Sequence, residues 1–245
     1  FPDLTPTRER VARALVALCR GNPVTARRRL GLSEALDDDR AANAELLASP
    51  TMPAGERYSG VLHDALGYPT LTAAARRRAE AAIVVFSGLW GATAPADPLP
   101  AYRIGIATRL PRLAALPVLW RPAMTTALDR AVAEVGAIDL RSAGYVQMYR
   151  PSGDAAGRLV DVRITGPDGK RAAASFQSKY AKGRIVREML RAGEPSVDRL
   201  LAAASQVGVS AEADGNRVVV RLPEGWGLVG SETGRAQRSA ARDRA

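Results

Sequence analysis

Up to about residue 82, every apolar pattern in the chain recurs at helical spacing; β-branched runs appear only afterwards, interleaved irregularly with further helices. That order excludes a regular strand–helix–strand series and predicts an α+β fold with a mixed sheet. Val11, Leu15, Val16 and Leu18 form an apolar stripe that predicts a helix over 6–20, with Thr5 or Thr7 as its cap and Gly21-Asn22-Pro23 as its stop. Helices are also predicted over 24–30, over 33–47 behind Ser33, and over 57–66 and 71–81. Ile83-Val84-Val85-Phe86 reads as a short buried strand, and 118–135 as a long helix. Strands follow over 137–140 and 159–164. Thr165-Gly166-Pro167-Asp168-Gly169-Lys170 is a hairpin signal whose returning strand falls over 171–176. Helices over 181–190 and 197–205 and a strand over 217–222 complete the pattern. The expected architecture is a single domain over 1–230, its mixed β-sheet flanked by helices, with a helical N-terminal part. The segment 231–245 lacks apolar periodicity, carries Arg235, Arg238, Arg242 and Arg244, and is expected to be a disordered basic tail. A chain that opens Phe1-Pro2-Asp3-Leu4 without Met is expected to lack a leading segment.

Composition removes several classes of chemistry. One cysteine, Cys19, excludes an internal disulfide and any Cys-cluster zinc site. One histidine, His63, excludes a multi-His metal site and leaves one candidate imidazole base. No apolar run approaches the ~20 residues a bilayer-spanning helix needs, so no membrane partner is expected. No P-loop, GxGxxG or GxSxG occurs, and neither a metal nor another cofactor is expected. Cys19 lies on an apolar helix stripe and reads as a core residue.

The net charge of +10 favours an anionic partner. Arginine supplies all but three of the 35 cations, and alanine is abundant, a pairing that a GC-biased genome produces without selection for binding. Placement therefore carries the argument. Between Arg141 and Arg191, eleven Lys/Arg face four Asp/Glu. Within that stretch Lys179, Lys182, Arg184 and Arg187 cluster where a strand gives way to a helix. Helical spacing lets Lys179, Lys182 and Arg187 project from one side, near backbone N–H groups that favour anions. A solvated basic face fits this stretch equally well. Arg103 and Arg109 lie in and after a Pro-rich loop that can hold guanidinium groups for bidentate phosphate contacts; an arginine pinned by Asp97 is the competing reading. Arg141, Ser142 and Tyr145 follow a buried strand, where sites often form, or where a turn and a packed tyrosine suffice. The segment 24–47 is compatible with a helix-hairpin-helix-like element, with Gly31 in the hairpin and Arg27, Arg28 and Arg29 as candidate DNA contacts. Asp37-Asp38-Asp39 on its second helix would repel phosphate, and an ordinary helical corner is the simpler account.

Four blocks in order carry a family resemblance. Ser87-Gly88-Leu89-Trp90-Gly91, with Pro95, Asp97, Pro100-Ala101-Tyr102-Arg103 and Thr108-Arg109-Leu110, resembles the central block of the YaaA family of bacterial peroxide-stress proteins. Arg57-Tyr58-Ser59-Gly60-Val61-Leu62, Asp139-Leu140-Arg141-Ser142-Ala143-Gly144-Tyr145 and Lys179-Tyr180-Ala181-Lys182-Gly183 with Arg187 are similar to three further family blocks. The resemblance implies a cytoplasmic protein that limits peroxide damage, is linked to control of free iron, and binds DNA through an α+β fold with a helix-hairpin-helix-like element. By position that element falls over 24–47. Arg103, Arg109, Arg141, Lys179, Lys182 and Arg187 occupy motif positions, and a shared basic cleft is inferred for them. Departures are Arg141 and Gly144 in place of Ala and Glu, Lys182 in place of Arg, and a missing opening strand with its short Pro-containing motif. They leave a second class open, an enzyme acting on a small anionic or nucleotide-like substrate in the same Arg/Lys-lined pocket.

Overall fold

The structure is a computed structural model that describes residues 1–169 and 176–227. The chain divides into two compact units, Phe1–Tyr58 with Arg77–Val160, and Ser59–Arg76 with Asp161–Ala245. The α+β class with a mixed sheet stands.

The first unit opens with α1 (Thr5–Arg20), α2 (Pro23–Leu30) and α3 (Asp37–Ala44). Asn22 caps α2 by accepting the Thr25 N–H at 3.0 Å, and Pro23 supplies a preset φ at its first turn. Gly31 ends α2 in the left-handed region, which a residue without Cβ adopts freely. The helix predicted over 33–47 is shorter. Ser33 makes no side-chain cap, Glu34–Leu36 forms one 3-10 turn, and non-helical Leu36 delays α3 to Asp37. Two small antiparallel pairs follow: β1 (Thr51–Pro53) with β4 (Pro98–Pro100), and β2 (Val85–Ser87) with β3 (Gly91–Thr93). The strand predicted over 83–86 is therefore one arm of a tight hairpin, only half-buried at Val85 and Phe86. A Cβ on Gly91 would lie 2.7 Å from the Trp120 ring, so glycine is required where the hairpin meets α7 (Leu116–Val135). Trp120 is fully buried and its indole N–H donates to the Gly88 carbonyl at 2.9 Å. Leu4, Leu15, Leu89, Leu116, Met124 and Met148 share its core. Between the strands and after α7 lie α4 (Ala54–Arg57), β5 (Ala137–Asp139), α8 (Ala143–Val146) and α9 (Gly153–Ala156).

The second unit contains α5 (Val61–Leu66), followed by α6 (Ala73–Ala82), which starts in this unit and ends in the first. The continuous helix predicted over 57–66 is broken, because Gly60 has φ 107 and cannot continue a helix. β6 (Leu159–Thr165) pairs in parallel with β8 (Arg217–Arg221), which pairs antiparallel with β7 (Ser210–Asp214). The strand predicted to return from the hairpin after β6 falls on residues 171–175, outside the described residues, and Phe176 instead starts α10 (Phe176–Ala192). Lys170 and the segment 231–245 also lie outside them. α11 (Val197–Gln206) is capped by Ser196, which accepts the Arg199 N–H at 3.2 Å.

Gly183 sets the packing of α10 on α5. A Cβ there would lie 2.2 Å from the Leu62 carbonyl oxygen and 2.7 Å from the Ala65 Cβ. Arg187, one turn on, donates to the carbonyls of Leu66 at 2.8 Å, Gly67 at 3.0 Å and Thr70 at 3.3 Å. It thereby satisfies acceptors that the end of α5 leaves open.

Candidate anion-binding face

The three arginines at the end of α2 meet different fates. Arg27 is mostly buried and reaches Asp37 at 2.8 Å and Glu34 at 3.5 Å. Asp37 also takes a two-pronged contact from Arg40, at 2.8 and 2.7 Å. The hydrogen bonds from Arg40, then those from Arg27, hold the Asp37 carboxyl well below the usual carboxylate range. The Asp37 carboxylate that sequence reading set against phosphate is thus neutralised locally. Arg28 and Arg29 stay exposed. Their position in the last turn of α2 places positive charge at the carbonyl end of the helix, where it is favourable.

The second basic cluster is fastened to this hairpin by Asn43. Its side chain is fully buried; Nδ2 donates to the Arg103 carbonyl at 2.8 Å, and Oδ1 accepts the Arg103 N–H at 2.9 Å. A loop backbone pair is satisfied by one α3 side chain. The Arg103 guanidinium lies 3.4 Å from Asp39 and remains more than half exposed, an ion pair without hydrogen-bond geometry. Arg29 Nη1 reaches the Arg109 carbonyl at 3.4 Å, while Thr108 and Leu110 on either side are buried and point Arg109 outward. Arg29, Arg103 and Arg109 are therefore tied to one region of the first unit, with Arg28 beside Arg29 in the last turn of α2, and no ion pair or hydrogen bond engages the guanidinium of Arg28 or Arg109 among the described residues.

Arg141 behaves differently. Its guanidinium grips Asp139 at 2.8 and 2.7 Å and donates to the Tyr149 carbonyl at 3.1 Å. It also stacks over the Phe86 ring at 4.5 Å. The side chains of Arg141 and Asp139 are 11% and 7% exposed, so this charge is met inside the chain. Ser142 is exposed. Tyr145 is half-buried, and burial raises its phenol pKa. In the second unit Lys179 is exposed and Lys182 half-buried. Arg184 donates to the Tyr180 hydroxyl at 3.3 Å, and Arg187 is engaged with the three carbonyls described above.

Sequence reading missed a hydroxyl chain in the first unit. Ser87 Oγ lies 2.7 Å from the Tyr102 hydroxyl, which is 3.2 Å from that of Tyr58, itself 3.1 Å from Thr93 Oγ1. Thr93 donates to the Val85 carbonyl at 3.3 Å, which fixes every other direction. Tyr58 must donate to Thr93, Tyr102 to Tyr58, and Ser87 to Tyr102. Ser87 Oγ also accepts the N–H groups of Leu89 at 3.2 Å and Trp90 at 3.1 Å. Burial pushes the Tyr102 phenol well above its usual range, so it stays neutral. The chain is closed and every proton is used, which makes it a brace for the β2–β3 hairpin. Ser87, Tyr102 and Tyr58 were visible in the sequence only as parts of the resembling blocks, and Thr93 lay outside them. Among the described residues, no group of three or more acidic, His or Cys side chains could hold a metal, and no helix is long and apolar enough to cross a membrane.

A sequence model of the family described as "Peroxide stress protein YaaA" matches residues 2–209. The chain belongs to the YaaA family. A UPF0246 protein of Streptomyces coelicolor is 42% identical over 216 residues, covering 87% of this chain and 83% of that one. A UPF0246 protein of Corynebacterium efficiens is 38% identical over 189 residues, covering 76% and 73%. One of Cereibacter sphaeroides is 30% identical over 197 residues, covering 76% and 77%. The YaaA match spans both compact units, and it includes the arginine face, the hydroxyl brace and the α5–α10 contact at Gly183.

Proposed function

We propose that this YaaA-family chain acts in the cytoplasmic response to peroxide stress by binding duplex DNA. On this reading the phosphate backbone is gripped by the arginine face of the first unit. The observation that carries the reading is the fastening of the basic loop to the basic helical hairpin through Asn43–Arg103 and Arg29–Arg109. It ties Arg29, Arg103 and Arg109 to one unit, with Arg28 beside Arg29 in the last turn of α2; Asp37 is neutralised internally, and Asp39 lies 3.4 Å from an Arg103 guanidinium that stays more than half exposed. Phosphate contacts of this kind position a protein on DNA without reading sequence. The α2–Gly31–α3 corner serves here as the helix-hairpin-helix-like element, with Arg28 and Arg29 rather than Arg27 as its contacts. Lys179, Lys182 and Arg184 are further candidate cations from the second unit. The alternative, an enzyme using Arg141 beside Ser142 and Tyr145 for a small anionic substrate, gains less support because Asp139 occupies the Arg141 guanidinium.

About four phosphate contacts imply a slope of log affinity against log salt near −3.6, or roughly a hundredfold weakening between 50 and 200 mM salt. Fluorescence anisotropy of the full chain on a 30-base-pair duplex tests this. Absent binding at 50 mM salt, or binding that salt leaves unchanged, refutes the proposal.

A further inference from the structure

The loop beyond Arg109 closes in a turn over Leu110-Pro111-Arg112-Leu113, with the Leu113 N–H donating to the Leu110 carbonyl at 3.4 Å. Pro111 takes the second position, where its ring presets φ. Arg112 takes the third with φ 60, and among the described residues no other non-glycine has positive φ. A turn of this kind calls for glycine or asparagine at that position, because a Cβ in the left-handed region crowds the following carbonyl. The flanks prevent relaxation. Leu110 is 3% exposed in the core, and Leu113 packs against the same cluster, so unwinding the turn would pull apolar surface into water. The Arg112 side chain gains nothing inside the protein in return. It is exposed, and no ion pair or hydrogen bond engages its guanidinium among the described residues. Strained backbone kept by an over-determined surround is characteristic of ligand contacts. Arg112 also lies three residues beyond Arg109, whose carbonyl is tied to Arg29.

We propose that Arg112 is a phosphate-contacting residue of a nucleic-acid backbone site, displayed by this strained turn beside Arg109 and Arg29. The inference rests on the DNA-binding reading above and adds a residue and a local cost to it. Arginine in place of glycine weakens the turn and supplies a forked, permanently charged donor at a fixed point of the surface.

Full-length Arg112→Gly and Arg112→Asn test it, since both residues accept positive φ and neither carries charge. On a 30-base-pair duplex at 100 mM salt, each is expected to lose about tenfold in affinity, the smaller end for hydrogen bonds to charged groups. The salt slope should become shallower by about one. Arg112→Lys, which keeps the charge without the fork, should retain the wild-type slope with weaker binding. Thermal unfolding of Arg112→Gly should shift upward by about 2 °C, as relief of the left-handed strain exceeds the entropy that glycine adds to the unfolded chain. If the wild-type chain binds DNA but Arg112→Gly keeps its affinity and slope, this inference is overturned and the parent reading survives. A fall in melting temperature of several degrees on Arg112→Gly overturns it too, by making the residue structural. A wild-type chain that does not bind duplex DNA removes both.

Discussion

Replacing Asn43 by alanine removes one side chain that answers two backbone groups in another loop. The Arg103 N–H at 2.9 Å and carbonyl at 2.8 Å lose their partners together, at a site where Asn43 is fully buried. A buried group left unpaired costs about 1–3 kcal/mol. Arg103 itself is partly exposed, which lets water reach one of the two groups, so a loss of about 2–4 kcal/mol is expected for the pair. Asn43→Asp separates the two bonds. Its carboxylate still accepts the Arg103 N–H, but it faces the Arg103 carbonyl with a second oxygen and no donor. At neutral pH Asn43→Asp should therefore be no more stable than Asn43→Ala. It should recover part of its stability as pH falls from neutral towards about 4, because burial and the facing carbonyl raise the folded-state pKa of the introduced carboxyl above its unfolded value and protonation restores a donor. Urea unfolding followed by circular dichroism measures both variants. A loss below about 1 kcal/mol for Asn43→Ala, or an Asn43→Asp protein as stable as wild type at pH 7, would refute the claim that this side chain ties the basic loop to the hairpin.

Gly183→Ala forces a methyl group to within 2.2 Å of the Leu62 carbonyl, so α10 must lift from α5; a destabilisation of about 3 kcal/mol or more is expected, seen as a lost or strongly lowered unfolding transition. Asp139→Asn leaves the Arg141 guanidinium buried with its charge uncompensated, and a cost of about 3–5 kcal/mol in urea unfolding is expected. Burial lowers the His63 pKa, with Asp64 opposing, so the unfolded chain binds the extra proton first. Stability should then decline as pH falls through the unfolded value near 6.5 towards the folded one, and His63→Gln should flatten that decline between pH 7.5 and 5.5. The lowered pKa of Asp37 acts only at more acidic pH, where stability is lost as that carboxylate protonates.

The helices were the most legible part of the sequence, because a stripe such as Val11–Leu15–Val16–Leu18 reports burial directly, and α1, α2, α7 and α11 fall within three residues of the predicted bounds at either end. Three-residue strands carry no comparable period. β1, β3 and β4 each rest on a few backbone hydrogen bonds within Pro- and Gly-rich segments that read as loop. β7, exposed along most of its length, has little apolar signal either. The parallel pairing of β6 with β8 joins residues more than fifty apart and has no local signature, whereas the Gly-Pro-Asp-Gly turn after β6 has a strong one and drew the hairpin expectation. At the candidate site, the arginines were visible as charge. What each guanidinium does depends on neighbours distant in sequence: Arg187 on the end of α5 is invisible to any window of the chain. Asn43 was missed for a related reason, since one amide among the charged residues and alanines of α3 gives no sign that it faces a loop sixty residues away.

The most direct measurement compares two charge-matched triple variants on the same duplex across a salt series. Arg28→Ala/Arg103→Ala/Arg109→Ala removes the face; Arg13→Ala/Arg77→Ala/Arg130→Ala removes three exposed arginines elsewhere. The first is predicted to flatten the slope of log affinity against log salt by about three while the second leaves it near the wild-type value. Equal losses from both would show that DNA responds only to the chain's overall charge, and would contradict a built arginine face.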